Sequence, residues 1–127
     1  MTESLHILER RQSDRVAIRV ATQVQLDDAN PEHPQHQLRH CEGEVVDACC
    51  DGRGLGLALP LSSRPALGSE ISLRWPTADP VCGIVVSRMG GRQGVRVGVR
   101  VHQTSRSRVC ALIDAYEDLH NLVLEPI

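Results

Sequence analysis

The segment Gly94–Val101, which reads GVRVGVRV, restricts the fold of this chain more than any other feature. A period of two places alternate side chains on opposite faces of a β-strand, whereas a helix repeats about every 3.6 residues. The outward face of the predicted strand carries Arg96 and Arg100. The inward face carries Val95, Val97, Val99 and Val101. The pattern therefore predicts a half-buried strand with two arginines on the outer surface.

Further short segments show the same preference for strands, and turn residues separate them. The predicted strands are Val16–Leu26, Glu42–Cys49, Leu55–Leu59, Glu70–Trp75, Val81–Met89 and Gly94–Val101. The segment Asp27–His40 contains Pro31 and Pro34 and is predicted to be a long exposed loop.

One helix is predicted at Ser107–Leu119, with Thr104 or Ser105 as its N-cap. Its apolar residues recur at helical spacing: Val109, Leu112, Ile113, Tyr116 and Leu119. The predicted fold class is mainly β, a six-stranded antiparallel β-barrel with a C-terminal α-helix. We expect a flexible N-terminal arginine arm at residues 1–15, followed by the barrel domain at residues 16–127.

Composition narrows the possible ligands of this 127-residue chain. Phe is absent, and Trp75 and Tyr116 are the only aromatic residues, so bases of RNA or single-stranded DNA have few rings on which to stack. The net charge of −2 provides no overall attraction for DNA or an anionic membrane. We expect neither DNA nor RNA as a partner.

The sequence also predicts a cytoplasmic protein that is not an enzyme. Met1–Arg10 lacks the apolar core of a signal peptide, and no apolar run reaches transmembrane length, so membrane insertion is not expected. Five cysteines, an odd number, indicate reduced thiols. No nucleophile elbow or zinc-protease motif is present, and no metal or cofactor is predicted.

An arginine-rich segment precedes the first predicted strand and contains Arg10, Arg11 and Arg15. Each guanidinium can bind a phosphate, or the O6/N7 edge of guanine, through two parallel hydrogen bonds. The alternative interpretation is a solvated loop in which arginines pair with nearby acids.

An acidic and glycine-rich segment lies at the turn between the second and third predicted strands. The carboxylate of Asp47 can accept hydrogen bonds from guanine N1–H and N2–H₂, and the glycine of the turn allows close backbone approach. That glycine is Gly52, or it lies in Gly54–Leu57 if the turn contains two additional residues. The alternative is a tight hairpin in which Asp47 bonds local backbone.

Together the two segments resemble the signature of the PilZ domain, RxxxR followed by D/N-x-S-x-x-G. The first half is Arg11-Gln-Ser-Asp-Arg15 and the second half is Asp47-Ala-Cys49-Cys-Asp-Gly52, with Cys49 in the position of the serine. The order of strands and helix supports the resemblance from Glu9 to Leu122.

The resemblance implies a bacterial receptor for cyclic di-GMP. Arg11 and Arg15 would bind a phosphate and the Hoogsteen edge of guanine, Asp47 would bind the Watson–Crick edge, and Gly52 would let the turn approach the ligand. An additional arginine at the position of Arg10 implies an intercalated ligand dimer. The bound receptor would signal to an unidentified effector protein that controls motility, exopolysaccharide or virulence.

Two further residues and two alternatives complete the prediction. Arg96 and Arg100 could stack on a guanine, or they could form a solvated outer face. The thiol of Cys49 is a weak hydrogen-bonding group, which favours a PilZ-fold protein that binds no nucleotide and acts only as an interaction module. A metal or redox sensor is the third class, and its candidate residues are His33, His36, His40, Cys41, Cys49 and Cys50.

Overall fold

The computed structural model describes residues 14–30, 33–76, 78–120 and 124–125, without the side chains of residues 28–30 and 33–38. Six strands are followed by one short 3₁₀ turn and one α-helix, here α1. Their bounds are β1 Arg15–Asn30, β2 His33–Cys49, β3 Gly54–Leu59, β4 Glu70–Trp75, β5 Ala78–Gly90, β6 Val95–Val101, the 3₁₀ turn Gln103–Ser105 and α1 Arg106–His120. No helix in these ranges is both long and apolar enough to cross a membrane.

The six strands close into a barrel in the order β1-β2-β3-β6-β5-β4, and every neighbouring pair is antiparallel. Closure gives each strand two hydrogen-bonded neighbours in the barrel wall, so the wall has no free edge. The prediction of a mainly β fold, built from a six-stranded antiparallel barrel and a C-terminal helix, is confirmed.

Aliphatic side chains fill the interior of the barrel, as the valine-rich strands predict. Strand β6 alternates as expected, with its valines buried and Arg96 and Arg100 exposed. The buried core consists of Val16, Ile18, Val24, Leu26, Val45, Ala48, Leu55, Leu57, Leu59, Ile71, Leu73, Val81, Val85, Val95, Val97, Val99, Val101, Val109 and Ile113. One contiguous apolar core therefore supports the wall on all sides.

Helix α1 contributes Val109 and Ile113 to this core, as its spacing predicts. The prediction is wrong for Leu119, whose side chain is 81% exposed near the C-terminal end of α1. The predicted capping role of Ser105 is also not observed, because its Oγ accepts a hydrogen bond from the backbone N–H of Cys82 at 3.1 Å. Ser105 thus ties the start of the helix to β5.

The predicted long loop Asp27–His40 is wrong, because β1 and β2 continue as an antiparallel ribbon beyond the barrel. Paired residues run from Leu26 opposite Arg39 to Asn30 opposite His33. Strand β2 pairs with β3 only from Glu44 onward, so the ribbon part of β2 is an edge among the described residues. A proline is compatible with an edge strand because the missing N–H leaves no neighbour unpaired. Pro34, a residue of β2, therefore did not mark a loop here.

Candidate functional site

A row of directly opposed residues crosses the outer wall of the barrel and forms the centre of the candidate site. Asp47 on β2 faces Gly56 on β3, Gly56 faces Gly98 on β6, and Gly98 faces Ser87 on β5. Neighbouring strands lie about 4.8 Å apart, so the two glycines span a part of the wall about 10 Å wide that has no side chains of its own, and Asp47 and Ser87 reach over it from either side. We call the surface of Gly54, Gly56 and Gly98 the glycine floor.

A β-bulge places Asp47 on the outer wall. Val45 and Ala48 are both completely buried although an odd number of positions separates them, so strict alternation cannot hold between them. The register between β2 and β3 shifts between Val45 and Asp47. Val46 is the additional residue. Beyond it, the inward and outward positions of β2 are exchanged, so the Asp47 carboxylate faces outward.

The Asp47 carboxylate lies between two arginines above the floor. Its Oδ1 accepts a hydrogen bond from Arg15 Nη1 at 3.0 Å, and its Oδ2 lies 3.7 Å from Arg96 Nη2. The carboxylate also lies over Gly56, where a Cβ atom would overlap it. Only 16% of the Asp47 side chain is exposed, compared with 45% for Arg15. The structure thus holds a carboxylate in a fixed position at one side of the floor.

The thiol of Cys49 faces the same surface. A Cβ atom built on Gly54 would lie 3.2 Å from Arg15 Nη2 and 3.3 Å from Cys49 Sγ. Arg15 and Cys49 are opposed residues of β1 and β2, which explains why their side chains meet above Gly54. A substituent at position 49 is therefore adjacent to any molecule that Arg15 contacts.

Arg100 adds a positive charge at the other end of the floor. It lies opposite Gly54 on the neighbouring strand, and its side chain is exposed. Within the described ranges, Arg100 forms no hydrogen bond or ion pair with another side chain. Arg15 and Arg96 flank the carboxylate of Asp47, and Arg100 lies opposite Gly54 as a third arginine, so the floor suits an anionic ligand.

Gly52 lies away from this surface, in the connection between β2 and β3. Its φ of +80° favours glycine, and a Cβ atom there would overlap the backbone carbonyl of Arg106 at the start of α1. The helix contacts the same turn through Cys110, whose Sγ donates a hydrogen bond to the carbonyl of Cys50 at 3.5 Å. Burial raises the pKa of the Cys110 thiol, and the nearby charge of Asp114 raises it further, so the thiol keeps its proton. Gly52 therefore packs the turn against the helix.

The residues predicted from the sequence are thus brought together in part. The structure gathers five of them around the glycine floor: Arg15, Asp47, Cys49, Arg96 and Arg100. Gly52 faces α1 instead, and Asp47 belongs to β2 and not to the turn. Arg10 and Arg11 lie outside the described residues. Gly98 and Ser87 also belong to this surface, although their sequence pattern did not predict a site there.

Metal binding finds no support in the described side chains. They contain no group of three or more His, Cys, Asp or Glu residues placed to hold a metal ion. His40 and Cys41 are consecutive residues of β2, so their side chains lie on opposite faces of the ribbon. The side chains of His33 and His36 lie outside the described set.

A cleft of about 1270 Å³ opens beside the glycine floor, between the base of the ribbon and the β5–β6 hairpin. Its wall is largely apolar and includes Leu59, Pro60, Trp75 and Met89. Arg96 lines the cleft and also approaches Asp47, so this side chain lies between the cleft and the glycine floor.

Comparison with known proteins identifies the fold. The sequence matches no family model, and it has no significant match among curated proteins. Among solved structures, however, the barrel has the fold of a PilZ domain. One similar chain is the PilZ domain with c-di-GMP of YcgR from Escherichia coli, with a TM-score of 0.59 and 15% sequence identity. The alignment covers 88% of this chain and 95% of that chain, so the predicted resemblance is confirmed for the fold.

Proposed function

We propose that this chain is a cytoplasmic, non-enzymatic receptor for cyclic di-GMP that binds the ligand on the glycine floor. The observation that carries the proposal is the Arg15–Asp47 pair, which lies above this floor on a PilZ-type barrel. The similar solved PilZ domain contains c-di-GMP, which agrees with a nucleotide as the ligand.

The chemistry of the floor suits a guanine nucleotide. A carboxylate accepts hydrogen bonds from N1–H and N2–H₂ of guanine, and Asp47 is held where a base on the floor would present that edge. The guanidinium of Arg15 matches a phosphate, and the exposed Arg100 adds a second cation for the other phosphate of the ligand. The backbone of the glycines allows the flat face of a base to approach closely.

Ligand binding must replace part of the contact between Arg15 and Asp47, because both groups are proposed to bind the nucleotide. Such an exchange would reorient the chain that leads into β1, where the predicted arm with Arg10 and Arg11 is attached. We propose that the rearranged surface signals to an effector protein, as an adaptor would.

Isothermal titration calorimetry with cyclic di-GMP tests the proposal. Wild-type protein should bind with a micromolar or lower Kd, and Arg15→Ala should raise the Kd about 10-fold to 100-fold because a charged hydrogen-bond donor is removed. Arg19→Ala is the matched control. Arg19 is an exposed β1 arginine that pairs with Glu44 at 3.3 Å, so its removal should leave the Kd unchanged.

If folded wild-type protein releases or absorbs no heat at high ligand concentration, the proposal is wrong. Equal losses in Arg15→Ala and Arg19→Ala would place the ligand elsewhere. The fitted stoichiometry decides a further point, because an intercalated dimer requires two ligands per chain.

The second candidate function is a PilZ-fold interaction module that binds no nucleotide, and the thiol of Cys49 beside Arg15 favours it. Cys49→Ser separates the two candidates. If the floor binds cyclic di-GMP, the hydroxyl should restore a hydrogen bond and lower the Kd about fivefold to tenfold. If neither wild type nor Cys49→Ser binds, the interaction module becomes the better interpretation. Calorimetry on both proteins gives the answer.

A further inference from the structure

We propose that Ser87 is a ligand-binding residue that contacts the edge of the base opposite the edge bound by Asp47. The inference rests on the proposed function and adds a specificity-determining hydroxyl to it. Ser87 belongs to β5, on the far side of the glycine floor from Arg15 and Asp47, and only the strand pairing shows that it belongs to the site.

The first observation is a second β-bulge that matches the one beside Asp47. Val85 is buried and lies opposite the buried Val99, so strict alternation would turn Ser87 towards the core as well. The register between β5 and β6 shifts between Val85 and Ser87. Val86 is the extra residue, and Ser87 is consequently exposed and lies opposite Gly98. Bulges of this kind re-aim side chains beside functional sites.

The second observation is the position of the hydroxyl itself. Ser87 Oγ lies over Gly98, where a Cβ atom would overlap it, just as the Asp47 carboxylate lies over Gly56. Two polar groups therefore face each other across the floor from its opposite sides. In the described part of the chain, Ser87 Oγ forms no hydrogen bond with another protein group.

The position of Ser87 Oγ determines which part of a bound base it can contact. A base bound above Gly56 and Gly98, between the two side chains that reach over these glycines, has one edge towards Asp47 and the opposite edge towards Ser87. A serine hydroxyl both donates and accepts hydrogen bonds, so it can bind a ring nitrogen or a ribose hydroxyl at that edge. This contact would supply a hydroxyl to a site in which position 49 carries a thiol.

The test is calorimetry with cyclic di-GMP on wild type, Ser87→Ala and Ser62→Ala. Removing one hydrogen bond to the ligand should raise the Kd about fivefold to tenfold in Ser87→Ala. Ser62 is an exposed serine in the loop before β4, and its replacement should leave the Kd unchanged. Thermal unfolding without ligand should give the same midpoint for all three proteins, because both serines are exposed.

The outcomes separate this inference from the function on which it rests. If wild type binds and Ser87→Ala binds equally well, Ser87 is not a ligand contact, and the receptor function stands. If folded wild type does not bind, both ideas are overturned. A lower unfolding midpoint for Ser87→Ala alone would show that the hydroxyl supports the bulge, which also contradicts a role as a ligand contact.

Discussion

Replacing Asp47 by Asn is expected to weaken cyclic di-GMP binding at least 100-fold, the largest effect on affinity that the structure predicts. A hydrogen bond to a charged group contributes about 1.5–3 kcal/mol, and the carboxylate is proposed to accept two of them from guanine. The amide of Asn keeps the shape of the side chain but presents an NH₂ donor towards the N–H groups of the base. Calorimetry on the folded variant measures the change.

Glu44→Gln is the matched control for this variant. Glu44 is a second outward carboxylate on β2, and it accepts a hydrogen bond from Arg19 at 3.3 Å, as Asp47 does from Arg15. Both substitutions remove one charge; Glu44→Gln loses one ion pair and Asp47→Asn loses two, and such a pair with an exposed arginine contributes at most about 1 kcal/mol to stability. A comparable loss of affinity in both variants would mean that general electrostatic attraction, and not base recognition by Asp47, provides the binding energy.

Leu57→Ala is expected to give the largest loss of stability, about 3 kcal/mol within the usual range of 2–5 kcal/mol for buried leucines. Leu57 is completely buried in β3, and its opposed residues Val45 and Val97 are completely buried as well. The closed wall limits how far these neighbours can move to fill the cavity. Chemical denaturation should show a lower midpoint with an unchanged m-value.

Leu119→Ala applies the same chemical change at an exposed position. The Leu119 side chain is 81% exposed on α1, so its truncation should alter the free energy of unfolding by less than about 0.5 kcal/mol. Similar losses for Leu57→Ala and Leu119→Ala would contradict the assignment of the core to the barrel interior.

Local pattern was enough to predict a barrel because strands such as β4 and β6 alternate regularly. The inward valines of β6 and the bounds of β4 agree with the prediction from sequence. The ribbon could not be predicted, because the pairing of Leu26 with Arg39 depends on a partner strand and not on local propensity. Leu119 shows the same limit, since helical spacing does not reveal where the neighbouring barrel ends.

The candidate residues were grouped into one site by the resemblance to the PilZ signature. Arg15 and Asp47 lie far apart in sequence, and the structure places Arg15 Nη1 3.0 Å from Asp47 Oδ1. The glycine floor could not be predicted from the sequence, because Gly56 and Gly98 become neighbours only through the pairing of β3 with β6. Ser87 could not be found from alternation, which assigns it to the core until the bulge is seen.

The two bulges make the chain respond differently to two kinds of genetic change. On β6, an outward residue can be exchanged without altering the inward valines, so affinity and stability can evolve separately there. Asp47 and Ser87 instead each follow one additional residue in their strands. Deleting Val46 or Val86 would remove the bulge and its extra local twist, but it would leave Asp47 directly after the buried Val45 and Ser87 directly after the buried Val85, still facing outward. A deletion beside the site therefore changes the shape of the wall, whereas the exchange of an outward residue changes only the exposed surface.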